Sequence, residues 1–209
     1  FMDGINGIAA IQVFITGTGG VLLIGLNYQD WYSLPLLLNL LIATCALGFL
    51  PHNFPKAKMF MGDTGSQFLG MFLAYFSIKL LWNNGVGIND YSIFINLTLV
   101  ATAFAIPLID TTVVSINRVL KGQSPMIGGK DHTTHHLVYK GFTERQVGLT
   151  FAALGIVSII ISFVLKKHIS KESIFVLVIW FYLVFVFSLF FILSRKQKGM
   201  VDSHKLNNK

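Results

Sequence analysis

The sequence predicts an all-α, polytopic integral membrane protein, a helical bundle with about six transmembrane helices, and three observations predict it. Hydrophobic residues make up 54% of the 209 residues, charged residues only 12%, and the mean hydropathy is +0.67, which excludes an ordinary soluble domain. The apolar residues come in runs of about 20, the length of helix that crosses a hydrocarbon core. Those runs are continuous and do not alternate with polar residues, which selects helices over a β-barrel.

The spans are expected at 7–26, 31–50, 66–82, 91–115, 147–165 and 174–193. Glycines crowd the first and suggest close helix packing. Trp31 and Tyr32 open the second at the height of an interfacial anchor. The fourth contains Pro107 and a charge, Asp110. Polar segments at about 51–65 and 116–146 separate the spans, and 194–209 is a basic tail. The whole of 1–209 reads as a single membrane domain. Its opening, F-M-D-G-I-N-G-I-A, has neither an initiator nor a signal-peptide n-region and reads as the C-terminal portion of a longer protein.

In such a chain the net charge of +7 sets topology and does not call for nucleic acid. The segments 51–66 and 116–146 and the tail hold 12 of the 16 Lys and Arg residues. Six spans place all three on one side, which is then cytoplasmic, with the basic turn Lys166, Lys167 and Lys171 as the exception to the rule. Asp3, Asp63, Asp110 and the loop histidines consequently converge on one membrane face. The single cysteine, Cys45, lies in an apolar run and excludes an internal disulfide.

The organising stretch is P-H-N-F-P-K-A-K-M-F-M-G-D-T-G-S, residues 51–66. Asp63 stands between Gly62 and Gly65 at the start of an apolar helix, with Thr64 and Ser66 as candidate N-caps and Lys56 and Lys58 upstream. A carboxylate beside helix N–H groups and lysines suits a phosphate and a divalent cation; a tight loop with a capping Asp is the plain alternative. Asp3, at the start of the first span, serves equally as a helix cap or a catalytic acid, and Asn6 follows it by about one turn. Asp110, in P-L-I-D-T-T, is an ionisable group in an apolar helix and so a functional candidate; its alternative is an interfacial pair with Arg118. His132, His135 and His136 have helical spacing and hold three of the six histidines within five residues. They could take zinc, but zinc sites of this form usually add a Glu base or a distant fourth ligand. Beside Lys130 and Arg145 they suit a diphosphate better.

These motifs, in this order, resemble the polyprenyl-phosphate N-acetylhexosamine-1-phosphate transferases of glycosyltransferase family 4, which include phospho-N-acetylmuramoyl-pentapeptide translocase. The resemblance covers essentially the whole chain, and M-G-D-T-G-S is its most specific block. It implies transfer of a sugar-1-phosphate from a UDP-N-acetylhexosamine to undecaprenyl or another polyprenyl phosphate. UMP leaves, at the cytoplasmic face of a plasma (inner) membrane, in a step that initiates cell-envelope glycan synthesis. It implies magnesium, with manganese as a substitute, and leaves room for a homodimer. By motif position Asp63 is the metal-ligand aspartate and Asp3 the acid lining the site. His132, His135 and His136 help to bind the nucleotide-sugar, with Asp110 and Arg118 grouped beside them, and Asn53 and Phe54 lie near the nucleotide.

The sequence departs from the family in three ways. The family's paired aspartates of an earlier cytoplasmic loop are absent from these residues, which are expected to start after them. Asn6 stands where many members have a second acid, and H-T-T-H-H replaces a contiguous histidine triple, which points to the N-acetylglucosamine, O-antigen or teichoic-acid type of initiator. The competing readings are an incomplete or inactive relative that binds lipid and nucleotide-sugar, and a transporter. A transporter would place charges near the middle of several spans, whereas here they gather at one face.

Overall fold

The structure is a computed structural model that describes residues 7–28, 32–82, 90–125, 132–168 and 173–195. Among these residues it is entirely helical, with eight α-helices: α1 (Ile8–Tyr28), α2 (Leu34–Asn53), α3 (Gly62–Ser77), α4 (Asp90–Ala103), α5 (Ala105–Val119), α6 (Thr133–Tyr139), α7 (Glu144–His168) and α8 (Ser173–Arg195). A π-helical turn, Ile78–Trp82, extends α3. Asp3, Asn6, Trp31, Lys130, Lys171 and most of the basic tail lie outside the described residues.

Three helices are long and apolar enough to cross a membrane, over Leu34–Asn53, Glu144–Val164 and Val176–Ser194, and α4 with α5 makes a fourth if the bent pair counts as one span. The apolar stretch Ile8–Leu22 is shorter, and α3 has only 16 residues before its π turn. The all-helical membrane class therefore stands, while the count of six spans is not confirmed by these lengths. Side chains such as Phe181 (75% exposed) and Val178 (62%) on α8 face outward, as lipid-facing residues do.

The expected fourth span is not continuous. Pro107 has no N–H for the Ala103 carbonyl, and its ring crowds that same carbonyl. The helix breaks at Phe104 (φ −106°, ψ 22°), and the two halves meet at 84°. Helical bonding resumes at once, with the Leu108 N–H donated to Phe104 O at 3.0 Å. α4 packs mainly against α7, whereas α5 turns toward α8.

One apolar core joins α4, α5, α7 and α8 around Leu99, Ile106, Val113, Phe151 and Phe190; a smaller one joins α1, α2 and α3 around Val13, Ile42, Ala46 and Phe76. Most polar side chains inside the bundle are bonded, although among the described residues Asn96 Oδ1, Thr133 Oγ1 and Thr134 Oγ1 are buried without a partner. Thr98, Thr102, Thr111 and Thr112 each donate to the carbonyl four residues back. Others cross between helices: Gln12 Nε2 to Phe151 O (2.9 Å), Ser162 Oγ to Leu99 O (3.2 Å), Trp180 Nε1 to Thr98 Oγ1 (3.1 Å) and Asn117 Nδ2 to Ser194 Oγ (2.8 Å). In lipid such bonds are worth roughly 0.6–2 kcal/mol each.

The glycines of α1 do what their crowding suggests. A Cβ on Gly17 would lie 3.2 Å from Ala43 Cβ, one on Gly20 would lie 2.7 Å from Asn39 Oδ1, and one on Gly19 would lie 2.8 Å from Ile159 Cγ2. α1 is thus seated against α2 on one side and α7 on the other. Asn39 is buried and tied to Pro35 O, so it cannot swing aside freely. Gly20→Leu is expected to destabilise the α1–α2 pair by about 1–3 kcal/mol, the usual penalty of overpacking. Thermal unfolding of the protein in detergent checks this, and an unchanged midpoint would count against the close packing.

Candidate active site

The site begins with the loop between α2 and α3. Pro51 falls inside the last turn of α2 and does not begin the loop, so the helix runs three residues past the expected end at position 50 and carries Asn53 with it. The buried Asn53 side chain donates Nδ2 to Met59 O at 2.7 Å. The His52 carbonyl accepts the N–H of Lys58 at 2.8 Å and of Met59 at 3.2 Å. These three bonds close the segment 54–59 into a ring on the end of α2. Lys56 and Lys58 stand exposed on it, and so does the ring of Phe60, at 76%.

Phe54 bolts this loop to the bundle. A Cβ on Gly7 would lie 2.6 Å from Phe54 Cβ, and one on Gly148 would lie 2.5 Å from Phe54 Cε2. The phenyl ring therefore occupies space that two glycines leave open, one just before α1 and one near the start of α7. Gly7 also has φ +82°, which favours glycine on its own account.

Gly62, at φ +68°, then turns the chain into α3. The helix starts four residues before the expected position, and neither Thr64 nor Ser66 caps it: the N-cap residue is Met61, with no side-chain bond. Ser66 Oγ instead donates to the Asp63 carbonyl at 3.1 Å. Asp63 lies exposed in the first turn of α3, where the helix dipole favours a negative charge.

The second part of the site is α5 with α6. Asp110 is 1% exposed. Its Oδ2 is 3.0 Å from His132 Nδ1, and its Oδ1 accepts the Thr133 N–H at 3.0 Å. The alternative pairing of Asp110 with Arg118 gives way to this arrangement, because α6 delivers two donors to the carboxylate while Arg118 Nη1 donates to Pro125 O at 2.8 Å. The helical spacing of the histidines holds: His132 precedes α6 as its N-cap residue, and His135 and His136 lie within it, half-buried. The His135 ring stands 6.5 Å from that of His132 and 6.4 Å from that of Tyr139.

A groove of about 630 Å³ runs between α1, α3, α4 and α5. Val13, Leu69, Leu73, Val100, Phe104 and Leu108 give it apolar walls, with Gln12, Gln67 and Thr111 as polar points. Met61 and Ser66 on its lining flank Asp63 in sequence, and Thr111 adjoins Asp110. One groove thus borders both motif-bearing elements. Among the described residues no group of three His, Cys, Asp or Glu side chains could hold a metal ion. A single exposed carboxylate still suits magnesium, which keeps several waters and takes substrate phosphate oxygens beside one or two carboxylates.

Comparison with known proteins was decisive on family. The family model for glycosyl transferase family 4 matches residues 1–81, which include the loop and the first turns of α3. The chain is 32% identical over 201 residues to a probable undecaprenyl-phosphate N-acetylglucosaminyl 1-phosphate transferase of Bacillus subtilis (strain 168), covering 96% of this chain and 51% of the relative. The chain belongs to glycosyl transferase family 4. Another relative, decaprenyl-phosphate N-acetylglucosaminephosphotransferase of Mycolicibacterium smegmatis, is 32% identical over 76% of this chain and 41% of its own length. A phospho-N-acetylmuramoyl-pentapeptide-transferase of Prochlorococcus marinus is 30% identical over 80% of this chain and 45% of its own. The chain spans about two fifths to half the length of these relatives. No solved structure matches it.

The sequence did not single out Gly7, Gly148 or Phe60. A glycine inside the helical pattern of α7, which also holds Gly155, was the available signal for Gly148. The clip on the loop is testable without any substrate. Asn53→Ala removes the bond to Met59 O, worth about 1 kcal/mol, and is expected to speed trypsin cleavage after Lys56 and Lys58 roughly fivefold. Cleavage at the wild-type rate, read by mass spectrometry of the fragments, would show that the loop is held by other means.

Proposed function

We infer that this chain forms the Asp63 loop, histidine helix and lipid groove of an enzyme that transfers an N-acetylhexosamine-1-phosphate from a UDP-sugar to a polyprenyl phosphate. The single observation that supports this best is the exposed Asp63 in the first turn of α3, beside an apolar groove of about 630 Å³. The names of two of the three relatives support both a polyprenyl-phosphate acceptor and N-acetylglucosamine.

In the proposed reaction an oxygen of the polyprenyl phosphate attacks the β-phosphorus of the UDP-sugar. The bond from that phosphorus to the bridging oxygen breaks, and UMP leaves with the bridging oxygen. The sugar-1-phosphate is then joined to the lipid phosphate as a diphosphate. Asp63 is the residue that would hold magnesium, or manganese in its place, and the bound ion supplies neutralisation of diphosphate charge. Asp3 is assigned to the site wall by its motif, and it lies outside the described residues. The groove between α1, α3 and α5 takes the isoprenoid chain and orients its phosphate toward α3, so that much of the barrier is met by positioning. Asn53 and Phe54 set the loop on the nucleotide side, and His135 and His136 donate to the diphosphate or sugar from α6. Lys56 and Lys58 add positive charge that attracts the donor.

The reaction face is cytoplasmic in this reading and the membrane is the plasma membrane, because six spans would put 12 of the 16 basic residues on that side. Thr133 is fully buried, so a label is better placed at the exposed Gln123. With the exposed Cys45 first changed to serine, Gln123→Cys is expected to resist an impermeant thiol reagent in intact cells and to react once the cells are opened. Labelling from outside would reverse the orientation.

Asp63→Asn is expected to lower magnesium-dependent UMP release from UDP-N-acetylglucosamine and undecaprenyl phosphate by at least about a hundredfold, as loss of a charge-stabilising group at a phosphoryl centre does. Membrane insertion should be unaffected. Turnover near the wild-type rate would sink the assignment of Asp63.

A further inference from the structure

Both oxygens of Asp110 are engaged by one short helix. Oδ2 meets His132 Nδ1 and Oδ1 meets the Thr133 N–H, each at 3.0 Å, across 22 and 23 positions of sequence. The carboxylate is 1% exposed and His132 is 7% exposed, so a ligand has no route to that carboxylate in this arrangement. The helix that carries Asp110 also lines the groove, with Leu108, Thr111 and Thr112. α5 is therefore one rod with two attachments, the groove on one side and the start of α6 on another.

We propose that Asp110 is a positioning residue. It does not touch substrate; it fixes the first turn of α6 and the ring of His132, and so sets His135 and His136 relative to the groove. This rests on the reading of those histidines as donor-binding groups. The carboxylate at Nδ1 favours the ring form with its proton on that nitrogen and holds the plane of the ring. The His135 ring lies between those of His132 and Tyr139, with centroids 6.5 and 6.4 Å away, so a turn of the first ring disturbs the second.

Holding the bundle together is not a sufficient account of Asp110. α5 is already tied to α8 by Asn117 Nδ2 to Ser194 Oγ and by apolar packing of Ile106, Ile109 and Val113. A buried charge whose only task was cohesion could be replaced by an apolar side chain of similar size with little loss. An ionisable group in an apolar helix is retained where it does something an apolar one cannot. Here that is to present two acceptors, with fixed spacing, to an imidazole and a backbone N–H.

The test uses the membrane-embedded protein with Asp110→Leu, Asp110→Asn, His132→Ala and His132→Asn. Hydrogen exchange of the segment 132–139 reads the latch directly, and UMP release with each substrate varied in turn reads its effect. Asp110→Leu should speed exchange in that segment and raise the KM for UDP-N-acetylglucosamine, each by about tenfold or more, the weight of hydrogen bonds to a charged group. The KM for undecaprenyl phosphate should move far less. Asp110→Asn keeps an acceptor for the Thr133 N–H, and His132→Asn keeps a donor in the place of Nδ1. Each should recover most of what Asp110→Leu and His132→Ala lose.

Unchanged exchange in Asp110→Leu would overturn the latch. An equal loss toward both substrates would overturn its positioning role, as would a His132→Asn variant no better than His132→Ala, since the imidazole would then act on substrate itself. If the wild-type protein releases no UMP, the proposed function fails and the kinetic role with it, while the exchange measurement still decides whether Asp110 holds α6.

Discussion

The placement of the Asp63 loop depends on one aromatic ring filling a gap between two glycines. Phe54 reaches Gly7 at the entrance of α1 and Gly148 near the start of α7, and it leaves less than van der Waals room for a methyl group on either. The loop from 54 to 61 is short and exposed over most of its length, so by itself it would wander. The ring fixes its base, the Asn53 clip fixes its far side, and Gly62 directs the chain into α3. Asp63 has a defined place because a side chain nine residues earlier is wedged between helices distant in sequence.

The bend at Phe104 is the second constraint, and it shapes the groove. A straight fourth helix would pack along its whole length in one direction. The break lets α4 stay with α7 while α5 crosses toward α8 and meets α6. Val100 and Phe104 above the break and Pro107 and Leu108 below it then face the same cavity. A proline costs a hydrogen bond in lipid, where no water replaces it, and the neighbouring backbone recovers helical bonding within a residue.

Much of this was legible in the sequence because hydrophobic length and charge placement are local properties. The helices α1, α2, α7 and α8 lie within a few residues of where apolar runs place them, and the histidines do share a helix. Three features were not legible. The break needed knowledge that Pro107 would bend its helix by 84°, whereas proline in a membrane helix is often absorbed with little change. The early start of α3 came from the left-handed backbone at Gly62, a turn that overrides the capping preference of Thr64 and Ser66. The partner of Asp110 could not be read by proximity along the chain: Arg118, two turns away on the same helix, was the local choice, and His132 became available only when α6 folded back.

That separation has a consequence for how the protein is made. The threonines of α4 and α5 bond to carbonyls of their own helices, so each is satisfied as soon as its turn has formed. Asp110 is different, since its partners are 22 and 23 residues further along. At roughly 5–20 residues per second, translation delivers them about 1–5 s after the carboxylate itself. During that interval an apolar helix holds a charge with no internal partner, and the hydrocarbon interior will not accept it. The place of Asp110 inside the bundle is therefore complete only once the start of α6, later in the chain, has been made.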